Sequence, residues 1–177
     1  MIFRKTKIEG LYIMDPELRI DERGFFTRVF CKGELSKEGL PFNIVQANMS
    51  FTKKRGTIRG MHFQKHPKAE IKIVQCIKGA VYDVAIDLRK GSSTYGKWVG
   101  QELTEDNKKM FLIPKGFAHG FQSLKDNSKI LYFVSEFYSP KYESGVRWND
   151  PFFNIKWPIK NPIFSEKDKN WPLVKSE

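Results

Sequence analysis

The sequence of 177 residues predicts an all-β fold, either an antiparallel sandwich or a jelly-roll barrel. Short apolar or alternating runs are rich in β-branched and aromatic residues, and turn residues separate them at intervals of roughly ten. Long helical periodicity is nearly absent. Because 40% of the residues are hydrophobic and 14% are aromatic, a full core is expected. We therefore expect one domain over residues 1–177, with a few short helices.

The predicted elements follow from runs of apolar residues and the turns between them. The clearest strands cover residues 71–77, 81–88, 110–113 and 129–138. Lys78 and Gly79 are predicted to close the first two strands as a hairpin, and Pro114 ends the third. Residues 32–39 are predicted to form one helix. The stretch 149–172, rich in proline and tryptophan, is expected to pack against the barrel as loops and short turns.

Alternation along these strands assigns side chains to faces. Lys72 shares a face with Val74, and both faces of its strand are apolar, so Lys72 is expected to point into a mostly dry space. By the same reasoning Tyr132 shares a face with Tyr138, and Asp83 points with its apolar neighbours. If these faces converge inside one barrel, the cavity holds a lysine, an aspartate and two tyrosines.

The net charge of +11 suits an anionic partner such as a nucleotide. The charge is scattered, with tight clusters only at residues 53–55 and 108–109, and neither cluster is interleaved with aromatic residues. A nucleic-acid-binding protein is therefore not expected.

The expected location is the cytoplasm. Cys31 and Cys76 form no CxxC pair, which favours reduced thiols. No run approaches the roughly 18 apolar residues that a membrane helix requires, and the first residues do not resemble a signal peptide.

Histidine is rare in this chain, and two of its three residues lie in recognisable patterns. His119 ends a Pro-x-Gly-x-x-His box, which is typical of metal-binding cupins. The matching His-x-His pair is missing, because the chain has Gln64 two residues after His62 and an amide is a poor ligand for transition metals. We expect no metal at this site, and a metal-dependent cupin remains the alternative.

A site made of histidine, lysine, tyrosine and a carboxylate has the groups needed to move a proton from a carbon next to a carbonyl. A histidine base has a pKa of about 6.5, near ambient pH. Lys72 supplies a positive charge for the enolate that forms, and a tyrosine on the opposite face returns the proton. The sequence therefore predicts proton-transfer chemistry centred on His62.

A set of motifs in fixed order closely resembles the dTDP-4-dehydrorhamnose 3,5-epimerase family. They cover residues 21–26 (DERGFF), 46–48 (QAN), 59–64 (RGMHFQ), 72–74 (KIV), 82–89 (YDVAIDLR), 114–121 and 165–168 (SEKD). The resemblance implies a cupin-type jelly-roll homodimer, with N-terminal strands that contribute to the dimer. The enzyme would work without cofactor or metal. Its substrate would be a nucleotide-linked 4-keto-6-deoxy sugar, epimerised at C3 and C5.

The resemblance also implies a role for individual residues. His62 would be the base, Asp168 the carboxylate that orients it, Lys72 the group that stabilises the enolate, and Tyr132 the acid. The implied substrate-binding residues are Arg23, Phe26, Arg28, Gln46, Asn48, Arg59, His119, Tyr138, Glu143 and Lys167, with Arg23 and Phe26 reaching in from the partner subunit. One departure is Arg28, where many family members have a glutamate that accepts from thymine. An arginine only donates, which would suit cytosine or a carbonyl of another base.

The leading hypothesis is conversion of dTDP-4-dehydro-6-deoxy-D-glucose to dTDP-4-dehydro-L-rhamnose. Alternatives are an epimerase acting at C3 or C5 alone on a CDP- or GDP-linked hexose or heptose, and a sugar-nucleotide-binding module without catalysis.

Overall fold

The computed structural model describes residues 1–40 and 42–174, most of them in or between β-strands. In these residues two short α-helices, α1 (Lys32–Lys37) and α2 (Glu166–Lys169), and one 3₁₀ turn (Pro140–Tyr142) accompany the strands. The strands are β1 (Ile2–Lys5), β2 (Tyr12–Asp15), β3 (Arg19–Asp21), β4 (Gly24–Phe26), β5 (Gln46–Thr52), β6 (Ile58–Gln64), β7 (Lys72–Lys78), β8 (Ala80–Asp87), β9 (Trp98–Thr104), β10 (Met110–Ile113), β11 (Phe117–Ser123), β12 (Ser128–Val134) and β13 (Glu143–Gly145).

Two antiparallel sheets form the body of the fold. One has the strand order β1-β2-β10-β7-β12-β5 and the other β13-β6-β11-β8-β9, while β3 and β4 form a separate hairpin. Strands that neighbour one another in a sheet are often distant in sequence, which is the Greek-key pattern of a jelly roll. The prediction of an all-β jelly roll with a few short helices is confirmed.

The main core lies between the sheets and follows the alternation of their strands. Val74 and Cys76 of β7 point inward, where they pack with Val81 and Ala85 of β8. Ile73 faces the other way, in a second cluster under α1. The strand β7 is therefore apolar on both faces because it is covered on both.

The predicted hairpin at Gly79 is wrong. The strands β7 and β8 belong to different sheets, so the turn is a corner that carries the chain across the core. Gly79 has φ +77, and a Cβ there would lie 2.5 Å from the Ser128 hydroxyl, so the corner requires glycine. The local turn was correctly placed, but the sheet that the next strand joins depends on distant partners.

The last predicted strand is also shorter than expected. It ends at Val134, which pairs with Lys72 on one side and Gln46 on the other, the first residues of β7 and β5. Beyond Val134 neither neighbour continues, so the predicted alignment of Tyr138 with Tyr132 on one strand is wrong.

The C-terminal segment packs on the outside of the five-stranded sheet, as predicted. Val146 and Phe153 are buried against Met61, Val84 and other residues of that sheet. The segment then returns to β6 through α2, which brings Asp168 to the sheet. No helix in the described part of the chain is both long and apolar enough to span a bilayer.

Candidate active site

One cavity with two adjoining lobes opens between the sheets. The lobes measure about 310 Å³ and 300 Å³, and His62, Lys72 and Tyr132 line both of them. The first lobe is also lined by Gln46, Asn48, Phe63, Gln64, Glu70, Val134, Tyr138 and Glu143. The second lobe is also lined by Ser50, Arg59, His119, Phe121, Ile130, Ser165, Lys167 and Asp168.

His62 lies on β6 and is paired with a carboxylate from the C-terminal segment. Its Nε2 is 2.5 Å from Oδ1 of Asp168. The Asp168 backbone N–H donates to the Ser165 side chain, which caps α2. Burial alone would raise the pKa of Asp168, but the hydrogen bond and charge of His62, the backbone of Gly60 and the Ser165 hydroxyl together lower it. The carboxylate is therefore held in its charged form beside the imidazole.

A second histidine–aspartate pair lies on the neighbouring strand. His119 of β11 is the cross-strand partner of His62, and its Nε2 is 2.8 Å from Oδ1 of Asp83. The two strands lie so close together here that a Cβ at Gly60 would be 2.5 Å from Cα of Gly120. Asp83 is fully buried, and this burial raises its pKa. The charges of His119 and Lys72 lower the pKa, but the effect of burial is larger.

Lys72 and Tyr132 enter the cavity from the six-stranded sheet. Lys72 opens β7 and Tyr132 lies on the adjacent β12, opposite Val74. Burial raises the pKa of Tyr132, the charge of Glu70 raises it further, and Arg59 opposes both. The hydroxyl therefore keeps its proton at neutral pH. The Lys72 ammonium lies 3.2 Å from Glu70 Oε1.

The cavity mouth carries five of the ten predicted substrate-binding residues. The Tyr138 hydroxyl donates to Glu143 at 2.7 Å, and the Lys167 ammonium donates to the same carboxylate at 2.5 Å. Burial raises the pKa of Glu143, and these two donors bring it below its usual value. Gln46 Nε2 donates to Asn48 at 3.0 Å on the other rim. The mouth thus combines an exposed aromatic ring with fixed polar groups.

Arg59 extends from β6 toward the second lobe. Its guanidinium donates to the Thr52 hydroxyl at 3.2 Å and to the Phe51 carbonyl at 3.0 Å. With Lys167 and His119 it gives this lobe a basic wall. Such a wall suits an anionic group such as a diphosphate.

Three of the predicted binding residues do not line the cavity of their own chain. Arg23 is exposed and pairs with Asp21 at 2.6 Å, and Arg28 pairs with Glu34 at 2.5 Å. Phe26, on the β3–β4 hairpin, is 64% exposed. Within one chain these side chains are not brought to the site.

Gln64, which stands where a cupin ligand would be, is engaged with the backbone. Its amide donates to the carbonyls of Lys68 (3.1 Å) and Phe137 (3.2 Å), and its oxygen accepts from the Ser139 N–H at 2.6 Å. It thereby fixes the segment that carries Tyr138. Among the described residues no group of three or more His, Cys, Asp or Glu is arranged to hold a metal ion.

Sequence reasoning did not assign a role in proton transfer to several groups in or beside the cavity. Glu70 precedes Lys72 by two residues, and alternation alone indicates a shared face. Trp171, whose ring meets His62 edge-on with centroids 6.0 Å apart, gave no local signal. Ser50 lines the second lobe, and its buried hydroxyl has no hydrogen-bond partner among the described residues.

The arrangement can move a proton between opposite walls of one cavity. His62 lies on the five-stranded sheet, with a charged carboxylate behind it, and Tyr132 lies on the six-stranded sheet. A ligand between them is accessible to a base from one side and to an acid from the other, beside the ammonium of Lys72.

Comparison with known proteins places the chain among sugar-nucleotide epimerases. The family model described as dTDP-4-dehydrorhamnose 3,5-epimerase matches residues 5–176. The protein of that name from Methanothermobacter thermautotrophicus is 45% identical over 172 residues, which cover 96% of this chain and 92% of that protein.

Two solved structures of such enzymes share the fold. The dTDP-4-dehydrorhamnose 3,5-epimerase of Bacillus anthracis, with TDP and PPi bound, has a TM-score of 0.95 at 44% identity, with 98% of this chain and 99% of that chain covered. The dTDP-6-deoxy-D-glucose-3,5-epimerase of Legionella pneumophila, in complex with dTDP-4-keto-L-rhamnose, has a TM-score of 0.92 at 37% identity, with coverage of 97% and 92%.

Proposed function

The chain belongs to the dTDP-4-dehydrorhamnose 3,5-epimerase family, and from that premise we propose that it epimerises a dTDP-linked 4-keto-6-deoxyhexose at C3 and C5. The product, dTDP-4-dehydro-L-rhamnose, belongs to dTDP-rhamnose biosynthesis. Both carbons flank the C4 ketone, so one base serves either position if the sugar ring shifts in the cavity.

His62 is the proposed base. It removes the proton from C3 or C5, and the electron pair moves toward O4 to form an enolate. Asp168, 2.5 Å away, accepts a hydrogen bond from the ring and stabilises the imidazolium that results. The lowered pKa of Asp168 supports this role because a charged carboxylate favours the protonated histidine.

Lys72 is the proposed stabiliser of the enolate oxygen. Its side chain is only 14% exposed, so its charge is weakly screened by water. A fixed ammonium near O4 favours the enolate more than the ketone, which is the difference that lowers the barrier.

Tyr132 is the proposed acid. It stands on the sheet opposite His62, so it delivers a proton to the face of the ring opposite the one deprotonated. Inversion of configuration follows from that delivery. Its raised pKa keeps the hydroxyl protonated until the enolate forms.

The nucleotide and diphosphate are assigned to the remaining polar groups. Arg59, His119 and Lys167 line the second lobe and are proposed to contact the sugar and diphosphate, with Glu143 at the mouth. The proposed base subsite contains Gln46, Asn48 and the exposed ring of Tyr138.

A homodimer is proposed to complete the base subsite. The edge strand β5 exposes Met49 (64%) and Phe51 (49%), and the β3–β4 hairpin exposes Phe26. Apolar surface of this kind suits a second copy of the chain. The N-terminal strands of the single domain would then supply Arg23, Phe26 and Arg28 to the partner's cavity. The proposed location is the cytoplasm, where sugar nucleotides are made.

The observation that carries the proposal is that His62 and Tyr132 line one cavity from opposite sheets, with Lys72 beside them. The test is hydrogen exchange in deuterated water, with a panel of dTDP-, CDP-, UDP- and GDP-linked 4-keto-6-deoxyhexoses. Deuterium at both C3 and C5 of the dTDP sugar is expected. Label at C3 alone would indicate a 3-epimerase, and binding without exchange would overturn the enzymatic role. Preference for a sugar linked to another base would overturn the assignment of a dTDP substrate.

A further inference from the structure

Among the described residues that line the cavity, Glu70 is the one carboxylate that the proposed mechanism leaves without a role. Its side chain lines the first lobe and is only 12% exposed. One oxygen lies 3.2 Å from the Lys72 ammonium, and the other lies 3.5 Å from the amide nitrogen of Gln64. Burying a carboxylate this close to the proposed enolate site costs free energy unless another group pairs with its charge.

We propose that Glu70 is a positioning residue that fixes the ammonium of Lys72 and keeps it protonated in the cavity. This inference rests on the proposed function, since it assigns Lys72 to the enolate oxygen. Glu70 itself does not contact the reacting atoms in this scheme.

The surroundings of Lys72 explain why it needs a partner. Most of its side chain is out of water, so its ammonium is weakly solvated. Other basic side chains line the second lobe, namely His62, His119, Arg59 and Lys167. Two acids face Lys72. Glu70 is in direct contact with the ammonium, and the buried Asp83 interacts with it electrostatically. Tyr132 is neutral. Glu70 is thus the acid in direct contact that offsets both penalties.

Gln64 lies on the other side of Glu70. Its amide nitrogen has two hydrogens and donates to the carbonyls of Lys68 and Phe137, while its oxygen accepts from the Ser139 N–H. The Glu70 oxygen 3.5 Å from that nitrogen is therefore in loose contact only, and the 3.2 Å contact with the Lys72 ammonium is the shorter of the two. Lys72 is thus the partner that Glu70 engages directly.

The ion pair of Lys68 with Glu136 provides a matched control. Its nitrogen–oxygen distance is also 3.2 Å, but the side chains are 37% and 26% exposed and line neither lobe. The variants to compare with wild type are E70Q, which keeps the shape and removes the charge, E70D, which keeps the charge and shortens the reach, and E136Q.

Two readouts test the proposal. The first is kcat/KM for the dTDP sugar as a function of pH. The second is acetylation of individual lysines by limiting acetic anhydride, followed by mass spectrometry across pH, which needs no turnover. In E70Q the alkaline limb of kcat/KM and the labelling midpoint of Lys72 should both move to lower pH by about one unit, as expected when an opposite charge is removed at this distance.

The controls define what would overturn the inference. E136Q should coincide with wild type in both readouts, and E70D should keep the Lys72 midpoint while its kcat at neutral pH falls several-fold. An unchanged labelling midpoint of Lys72 in E70Q would refute a role for Glu70, whether or not the enzyme turns over. Absence of any exchange by wild type, with the labelling shift intact, would instead refute the proposed function and leave the pairing of Glu70 with Lys72 standing.

Discussion

His62 and His119 are cross-strand neighbours, and each contacts an aspartate, yet the two aspartates come from different parts of the fold. Asp168 comes from α2, outside the barrel, whereas Asp83 comes from β8 inside it. The pKa of Asp168 is lowered and that of Asp83 is raised. The surroundings of the two histidine–aspartate pairs therefore shift the pKa of the carboxyl group in opposite directions.

The difference follows from hydrogen bonding and burial. Asp168 accepts from His62 and the backbone of Gly60, and its own N–H is capped by Ser165, so its charge is well supported. Asp83 is fully buried, and its Oδ2 has no hydrogen-bond partner among the described residues. Under the proposed mechanism the His62 pair accepts the proton, while the His119 pair contacts the ligand in the second lobe.

The largest expected effect separates the two histidines. His62→Ala should lower turnover by about a thousandfold, because general base catalysis is lost. His119→Ala should mainly raise KM, with turnover reduced by no more than roughly tenfold. Steady-state kinetics and deuterium incorporation measure both variants, and circular dichroism checks folding. Equal losses of turnover would remove the functional distinction between the pairs.

Tyr132→Phe tests the six-stranded sheet, which lies opposite the two histidine–aspartate pairs. Turnover should fall by about a hundredfold because the acid is missing, while His62 still deprotonates the substrate. The measurement is loss of substrate tritium from C3 and C5 to solvent, compared with product formation. Loss of both signals together would assign Tyr132 to deprotonation and weaken the division between the two sheets.

Charge removal at the two aspartates should have unequal effects on stability. Asp168→Asn should lower the free energy of unfolding by about 1.5–3 kcal/mol, the range for hydrogen bonds to charged groups. Asp83→Asn should change it by less than about 1 kcal/mol, because burial, which raises the pKa of Asp83, already penalises the charge that this substitution removes. Urea denaturation at neutral pH measures both values. A larger loss at Asp83 would reverse the comparison.

The smallest effects appear in the dependence of stability on pH. The pKa of Asp168 is lowered in the native state, so its contribution to the free energy of unfolding is fully present above the unfolded pKa of about 3.9. This contribution is lost as the pH falls through the native pKa. A raised native pKa has the opposite sign, so wild type gains stability relative to Asp83→Asn as the pH falls through that value. Denaturation series from pH 7 to pH 3 should therefore show difference curves of opposite slope. Parallel curves would contradict the assigned charge states.

Local patterns predicted more of the barrel than of the site. Alternation along β7 correctly placed Lys72 with Val74 and Cys76, because the period of a strand is set by the backbone alone. It failed at Gly79, because the choice of sheet depends on distant strands. The pairing of His62 with Asp168 joins residues 106 positions apart, so only the family resemblance indicated it.

The position of Asp168 along the chain has a consequence for truncated chains. Every strand in the described residues precedes it, so all of these strands are encoded before this carboxylate. A chain that ends before residue 168 would contain each of these strands and His62 but would lack the carboxylate that contacts the imidazole.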